Sequence, residues 1–262
     1  PTFSAMIAQV VPKTMLPSAA AISSATWLIG SICGHALAGF LIAFLGISTT
    51  FFIILLFVVT GYSFLYRLSI KPVLVTATTK TWQSVKEGIQ YVFKTKEILG
   101  ALSLDLFAVL FGGAVALVPV FAKDILHTGP IGFGWLNAAT DIGSIITVTF
   151  LTIRPLHRSQ GRILFYAVAG FGVCIILFAV SNMFWLSFAA LLMSGCMDGV
   201  SVIVRGTILQ LKTPDELRGR VMSVNSMFIN SSNELGQFES GVMAKLLGTV
   251  NSVIFGGGMT IA

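Results

Sequence analysis

Charge is the scarcest resource in these 262 residues: Asp, Glu, Lys and Arg together supply 10% of the chain, against roughly 25% in a soluble domain. That deficit excludes an ordinary water-exposed globule. Cysteine is sparse as well, and Cys33, Cys174 and Cys196 stand far apart, so neither a disulfide framework nor a thiolate metal cluster is indicated. His35, His127 and His157 lie in unrelated places. No zinc spacing, nucleophile–base pair or Gly-rich phosphate loop is found, so the sequence predicts no enzyme, no cofactor and no ATP-driven machine.

What fills the chain instead is apolar. Hydrophobic residues make up 55% of it and the mean hydropathy is +0.92, gathered into runs of the roughly 20 residues that a bilayer crossing needs. Eight such runs are expected, at about 20–45, 49–66, 98–122, 131–153, 163–181, 184–209, 221–245 and from 249 onward. Each is long and continuously apolar rather than short and alternating, which makes them helices and not barrel strands. The fold class is therefore all-α, a polytopic transmembrane helix bundle.

The basic residues set the orientation. Lys13, Arg67, Lys71, Lys80, Lys86, Lys94, Lys96, Arg154, Arg158, Arg162, Lys212, Arg218 and Arg220 all fall in the segments joining alternate pairs of spans, which places those segments in the cytoplasm. The net charge of +6 thus reports topology. Because these cations sit in separate loops and not on one face, nucleic acid is excluded as a partner.

The chain also repeats itself. Pro12, Gly34, Gly39 and Gly46 recur as Pro214, Gly236, Gly241 and Gly248, far too long a period for a solenoid and suited to duplicated helix bundles. Span one is thereby equivalent to span seven. The expected organisation is 1–69 as the last two helices of an N-terminal half, 70–97 as a cytoplasmic linker, and 98–262 as a C-terminal six-helix half with its last helix truncated. The parent would have twelve spans, the missing N-terminal helices being partners from the same polypeptide. Within the linker, Trp82, Val85, Ile89, Val92 and Phe93 share one face of an amphipathic helix, read first as a connector packed against the bundle and otherwise as a surface helix on the inner leaflet.

An ionisable side chain inside a span costs about 2.5–3.5 kcal/mol on insertion scales unless paired or hydrated, so the few present are the candidate site. They are Asp105 in span three, Asp141 in span four, Asp198 and Arg205 in span six, and Glu234 and Glu239 in span seven. Asp198 and Asp141 fall near the bilayer midplane, and Arg205 lies close enough to the inner end to reach lipid phosphate groups. Asp198 and Arg205 share a face two turns apart, where water or a substrate group would bridge them. Span seven carries two polar stripes, Ser226, Asn230, Glu234, Gln237 and Gly241 on one and Asn225, Ser232 and Glu239 on the other. Both cannot meet lipid, and interhelical hydrogen bonding is the simpler account of many of these groups. Gln237 is the repeat equivalent of His35, the only histidine within a span.

Two six-helix halves, a basic central loop, and Pro214-Asp215-Glu216-Leu217-Arg218-Gly219-Arg220-Val221-Met222-Ser223 leading into a polar helix resemble the major facilitator superfamily. Asp105 to Gly113, Pro119 to Ala122 and Asn233 to Gly241 are similar to its enterobactin-exporter-like and macrolide-efflux-like branch. The likeness covers essentially the whole chain. The loop from Arg154 to Arg162 keeps the basic residues and Gly161 of the superfamily's inter-helix signature but has no Asp. The resemblance implies that spans three and six line a central cavity, four and seven flank it, and two and five are peripheral. It further implies a secondary transporter of a bacterial inner membrane, exporting amphipathic small molecules of drug or siderophore type in exchange for protons. An aromatic-rich wall from Phe107, Phe111 and Phe121 suits any amphipath, exported or not. Uptake or lysophospholipid flipping on the same scaffold, and a non-transporting membrane sensor, remain the alternatives.

Overall fold

The computed structural model describes residues 15–67, 81–112, 114–154 and 160–262. Pro12, Lys13, the linker from 68 to 80 with Lys71 and Lys80, Gly113, and the loop 155–159 with His157 and Arg158 lie outside the described residues. Among those described, every regular element is helical: α1 (Leu16–Tyr66), α2 (Thr81–Lys94), α3 (Lys96–Phe111), α4 (Gly129–Ile153), α5 (Gln160–Val180), α6 (Phe184–Lys212), α7 (Asp215–Leu247) and α8 (Thr249–Ile261). Five stretches are long and apolar enough to cross a membrane, at 29–66, 96–125, 129–153, 160–180 and 184–212. Two expected spans fall short of that measure for plain reasons. α7 is too polar along its length, and α8 has only 13 residues.

The first two expected spans run together as α1, and the break between them is a single residue, Gly46, at φ 78° and ψ 168°. Its repeat equivalent, Gly248, sits between α7 and α8 at φ 87° and ψ 156°. Both occupy a backbone region essentially reserved for glycine. The repeat read from sequence therefore has a conformational counterpart: the same residue makes the same break at both positions. A Cβ on Gly248 would meet no atom within 4 Å, so Gly248→Ala isolates backbone strain. It is expected to cost about 1–3 kcal/mol, read as a lowered midpoint of thermal unfolding in detergent, whereas Gly219→Ala, also in open space but inside helix α7, should not destabilise.

Small residues let the membrane helices approach closely. α4 and α6 form the most extensive seam, where a Cβ on Gly143 would strike the Leu192 carbonyl and one on Gly195 the Thr140 carbonyl, and Ser144 Oγ donates to the Gly195 carbonyl at 3.0 Å. Gly195 and Gly199 thus serve packing. Phe121, Leu136, Phe178 and Leu191 form the core of this region, with the Phe121 and Phe178 ring centroids 4.5 Å apart. That corrects the expectation for Phe121: it is fully buried and is core, not cavity wall.

Span three is helical only to Phe111. Beyond Gly112 the chain continues as a 3₁₀ turn, Ala114–Leu117, then one short turn holding Pro119 and a π-helical turn, Phe121–Ile125. Glycine and proline break the regular ladder here. α2 is a connector docked on the bundle. Val92 packs with Ile98, Leu102, Val221 and Val224, Tyr91 Oη donates to the Lys212 carbonyl at 2.6 Å, and Glu87 pairs with Arg220. Two members of its expected apolar face, Trp82 and Phe93, remain exposed, because the packed face is centred on Gly88, whose absent side chain lets the helix lie on Arg220 and Val224.

Candidate functional site

Arg205 does not reach for the membrane surface, nor for Asp198. It forms an ion pair with Asp105 across the α3–α6 contact, and both residues are buried, each 5% exposed. Ser201 Oγ donates to the same carboxylate at 3.4 Å. The expected face shared by Asp198 and Arg205 exists, but seven residues of helix rise separate the two by about 10 Å, and the α3 carboxylate lies nearer. The guanidinium is thereby neutralised inside the bundle.

Asp198, one turn from Ser201, borders two cavities. The first is about 20 Å³ and is lined by Asp105, Asp198 and Ser201 together with Ala108, Phe171 and Met197; that is room for about one water. The second is about 190 Å³ and brings Asp198 together with Asn233 and Gln237 of α7, Thr140 of α4, and the apolar Val109 and Phe171. Asp198 therefore sits between a roomy polar-and-aromatic chamber and a small cavity leading to the Asp105–Arg205 pair.

α7 separates its two polar stripes by environment. Ser226, Asn230, Glu234, Gln237 and Gly241 are all exposed, while Asn225, Ser232 and Glu239 turn partly or wholly into the bundle. Gly236 makes this registration feasible, since a Cβ there would lie 2.6 Å from the Val109 carbonyl of α3. Gln237 is thus placed on the chamber. Asn230 and Glu234 lie on the same open face of α7 outside that chamber's wall, and half-buried Glu239 belongs to the packed stripe.

Asp141 belongs to a separate cluster. Its Oδ2 accepts from Ser31 Oγ at 2.7 Å and meets His35 Nδ1 at 2.7 Å, both from α1. The helices can cross here because glycine faces glycine: a Cβ on Gly39 would stand 2.7 Å from the Pro130 carbonyl and 3.1 Å from Gly134 Cα. The pair is half open, His35 at 48% and Asp141 at 26% side-chain exposure, and an interhelical polar contact within a membrane contributes about 0.6 kcal/mol, up to about 1.7. His35→Ala is accordingly expected to move the unfolding midpoint by no more than a few degrees, measurable by differential scanning fluorimetry. Sequence reading named His35 and Asp141 separately and missed Ser31, Ser201 and Asn233. Ser31 and Ser201 each lie one turn from a named polar residue, His35 and Arg205, which is the local signal that would have found them.

Comparison with known proteins agrees with this architecture. The profile of a family described as transmembrane secretion effectors matches residues 1–262. The chain is similar to an MFS-type transporter, YfmI, of Bacillus subtilis (22% identity, covering 95% of this chain and 63% of the relative). It is also similar to the multidrug efflux pump Tap of Mycolicibacterium fortuitum (23% identity, 90% and 61%). The chain spans a little over three fifths of the length of these curated relatives.

Proposed function

The chain belongs to the transmembrane secretion effector family of major facilitator transporters, and on that premise we propose that it serves proton-coupled export of amphipathic small molecules by alternating access. It is a membrane transporter and not an enzyme; the coupling ion, substrate class, direction and a place in the bacterial inner membrane are this reading's own. The similarity to a multidrug efflux pump favours export over uptake or lipid flipping.

One observation carries the reading: Asp198 is the carboxylate on the wall of a chamber that also offers an amide pair, Asn233 and Gln237, and apolar wall from Val109 and Phe171. A small molecule with an apolar body and a cationic or donor group fits that chemistry. Charged Asp198 attracts such a group, and protonated Asp198 releases it, so proton and substrate compete for one site. Competition of this kind is the thermodynamic core of exchange. The chamber is walled here by α3, α4, α6 and α7 and by Phe171 of α5, a helix expected to be peripheral.

In this reading Asp105 and Arg205 are positioning residues. Their pair holds α3 against α6 directly behind Asp198, so the carboxylate that titrates is the one open to the chamber. Asp141 with His35 and Ser31 forms a polar tie between α1, assigned to one half of the transporter, and α4, assigned to the other. Such a tie is weak enough to break and re-form as the halves rock.

The test is substrate-driven proton movement by the full-length protein in everted vesicles, with a panel of amphipathic cations and siderophores. Substrate-dependent alkalinisation of the lumen is the expected result, because protons leave the everted lumen as substrate enters, and acidification would point to symport instead. Accumulation of solute with no proton movement would overturn the coupling, and absence of both across the panel would favour a sensor on the same scaffold.

A further inference from the structure

A third cavity, of about 380 Å³, lies away from the chamber at the ends of α3, α5 and α6. Its mouth carries Lys96 and Lys212, and its wall is Leu104, Leu164 and Leu211. We infer that this pocket binds an anionic phospholipid of the inner leaflet, with the headgroup phosphate between the two lysines and an acyl chain along the leucines. The inference is independent of what the transporter carries, and rests on the assignment of the Lys- and Arg-rich helix ends to the cytoplasm.

Three features favour a lipid. Charge is complementary on balance, two lysines against one carboxylate, Glu97, in the lining: Lys96 is exposed and has no carboxylate partner among the described residues, while Lys212 is paired with Glu97 at 2.8 Å and keeps two N–H donors. Position is right, because the cations stand at the first residue of α3 and the last of α6, the depth of a headgroup when these helices span the bilayer. The apolar wall is also continuous with the surrounding surface, since Leu211 is 73% exposed and Phe165 beside Leu164 is exposed too. A soluble anion would use the lysines and leave that wall without purpose.

Gly100 offers a plug. It lines the pocket, it is exposed, and a Cβ there meets no atom within 4 Å, so Gly100→Leu fills the cavity while improving helix propensity. The intact protein, delipidated in neutral detergent, would be titrated with dioleoylphosphatidylglycerol or dioleoylphosphatidylcholine and the retained lipid counted by native mass spectrometry. The glycerol lipid should bind about fivefold or more tightly than the choline lipid. Lys96→Gln and Gly100→Leu should each abolish that preference, and Lys94→Gln, outside the pocket, should leave it intact. Equal binding of the two lipids, or a preference that survives both pocket variants, would overturn the proposal. So would displacement of the lipid by millimolar inorganic phosphate, which would make this a soluble-anion site.

Discussion

Asp105→Asn is expected to destabilise the protein by about 3–5 kcal/mol, because it leaves the Arg205 guanidinium buried without a counter-charge. Arg205→Met should cost a similar amount for the mirror reason, stranding a carboxylate in the bundle. The informative variant is the double one, Asp105→Leu with Arg205→Met. A buried ion pair replaced by apolar groups of similar volume is commonly neutral or stabilising. The double variant should therefore regain most of the loss. In thermal unfolding the single variants should fall by roughly 6–20 °C and the double variant should return to within a few degrees of the parent. Additive losses would mean that the two residues do not act as a pair, contrary to the contact between them. Transport by the rescued double variant separates roles: retained proton exchange fits positioning residues, and lost exchange with restored stability would assign the pair to proton transfer itself.

Why sequence alone paired Arg205 with the wrong carboxylate is instructive. Periodicity reports neighbours along one helix, and Asp198 is such a neighbour of Arg205. The true partner comes from another helix, as Ser201 meets Asp105 across 96 positions and His35 meets Asp141 across 106. Those contacts depend on which faces the glycines allow to approach, and a Gly such as Gly39 or Gly236 reveals its role only when the opposing backbone is known. By contrast, features set by the local chain were legible. The break at Gly46 falls between the apolar runs expected at 20–45 and 49–66, and the division of α7 into two polar stripes followed from residue spacing. Phe121 was misread for the converse reason: aromatic residues fill cores and cavities alike, and only packing against Phe178 decides which.

The largest functional effect is expected at Asp198. In the parent, substrate affinity should rise with pH, because deprotonation creates the negative charge that an amphipathic cation binds, and reciprocity requires that substrate in turn promote proton release. Coupling between two such ligands is typically 1–3 kcal/mol, so affinity should change about 5- to 150-fold between the protonated and deprotonated limits. Asp198→Asn removes the titration while keeping the size and polarity of the side chain. Its substrate affinity should be independent of pH and close to the low-pH value of the parent, and gradient-driven accumulation should drop to the passive level. Exchange of labelled for unlabelled substrate, which needs the conformational cycle but no net proton movement, should persist. Asp198→Glu should restore pH dependence, since the chamber of about 190 Å³ leaves room for one more methylene. A parent-like pH profile in Asp198→Asn would transfer the coupling role to another carboxylate. Glu234 would be the next to test, since it lies one turn from Gln237 on the same exposed face of α7.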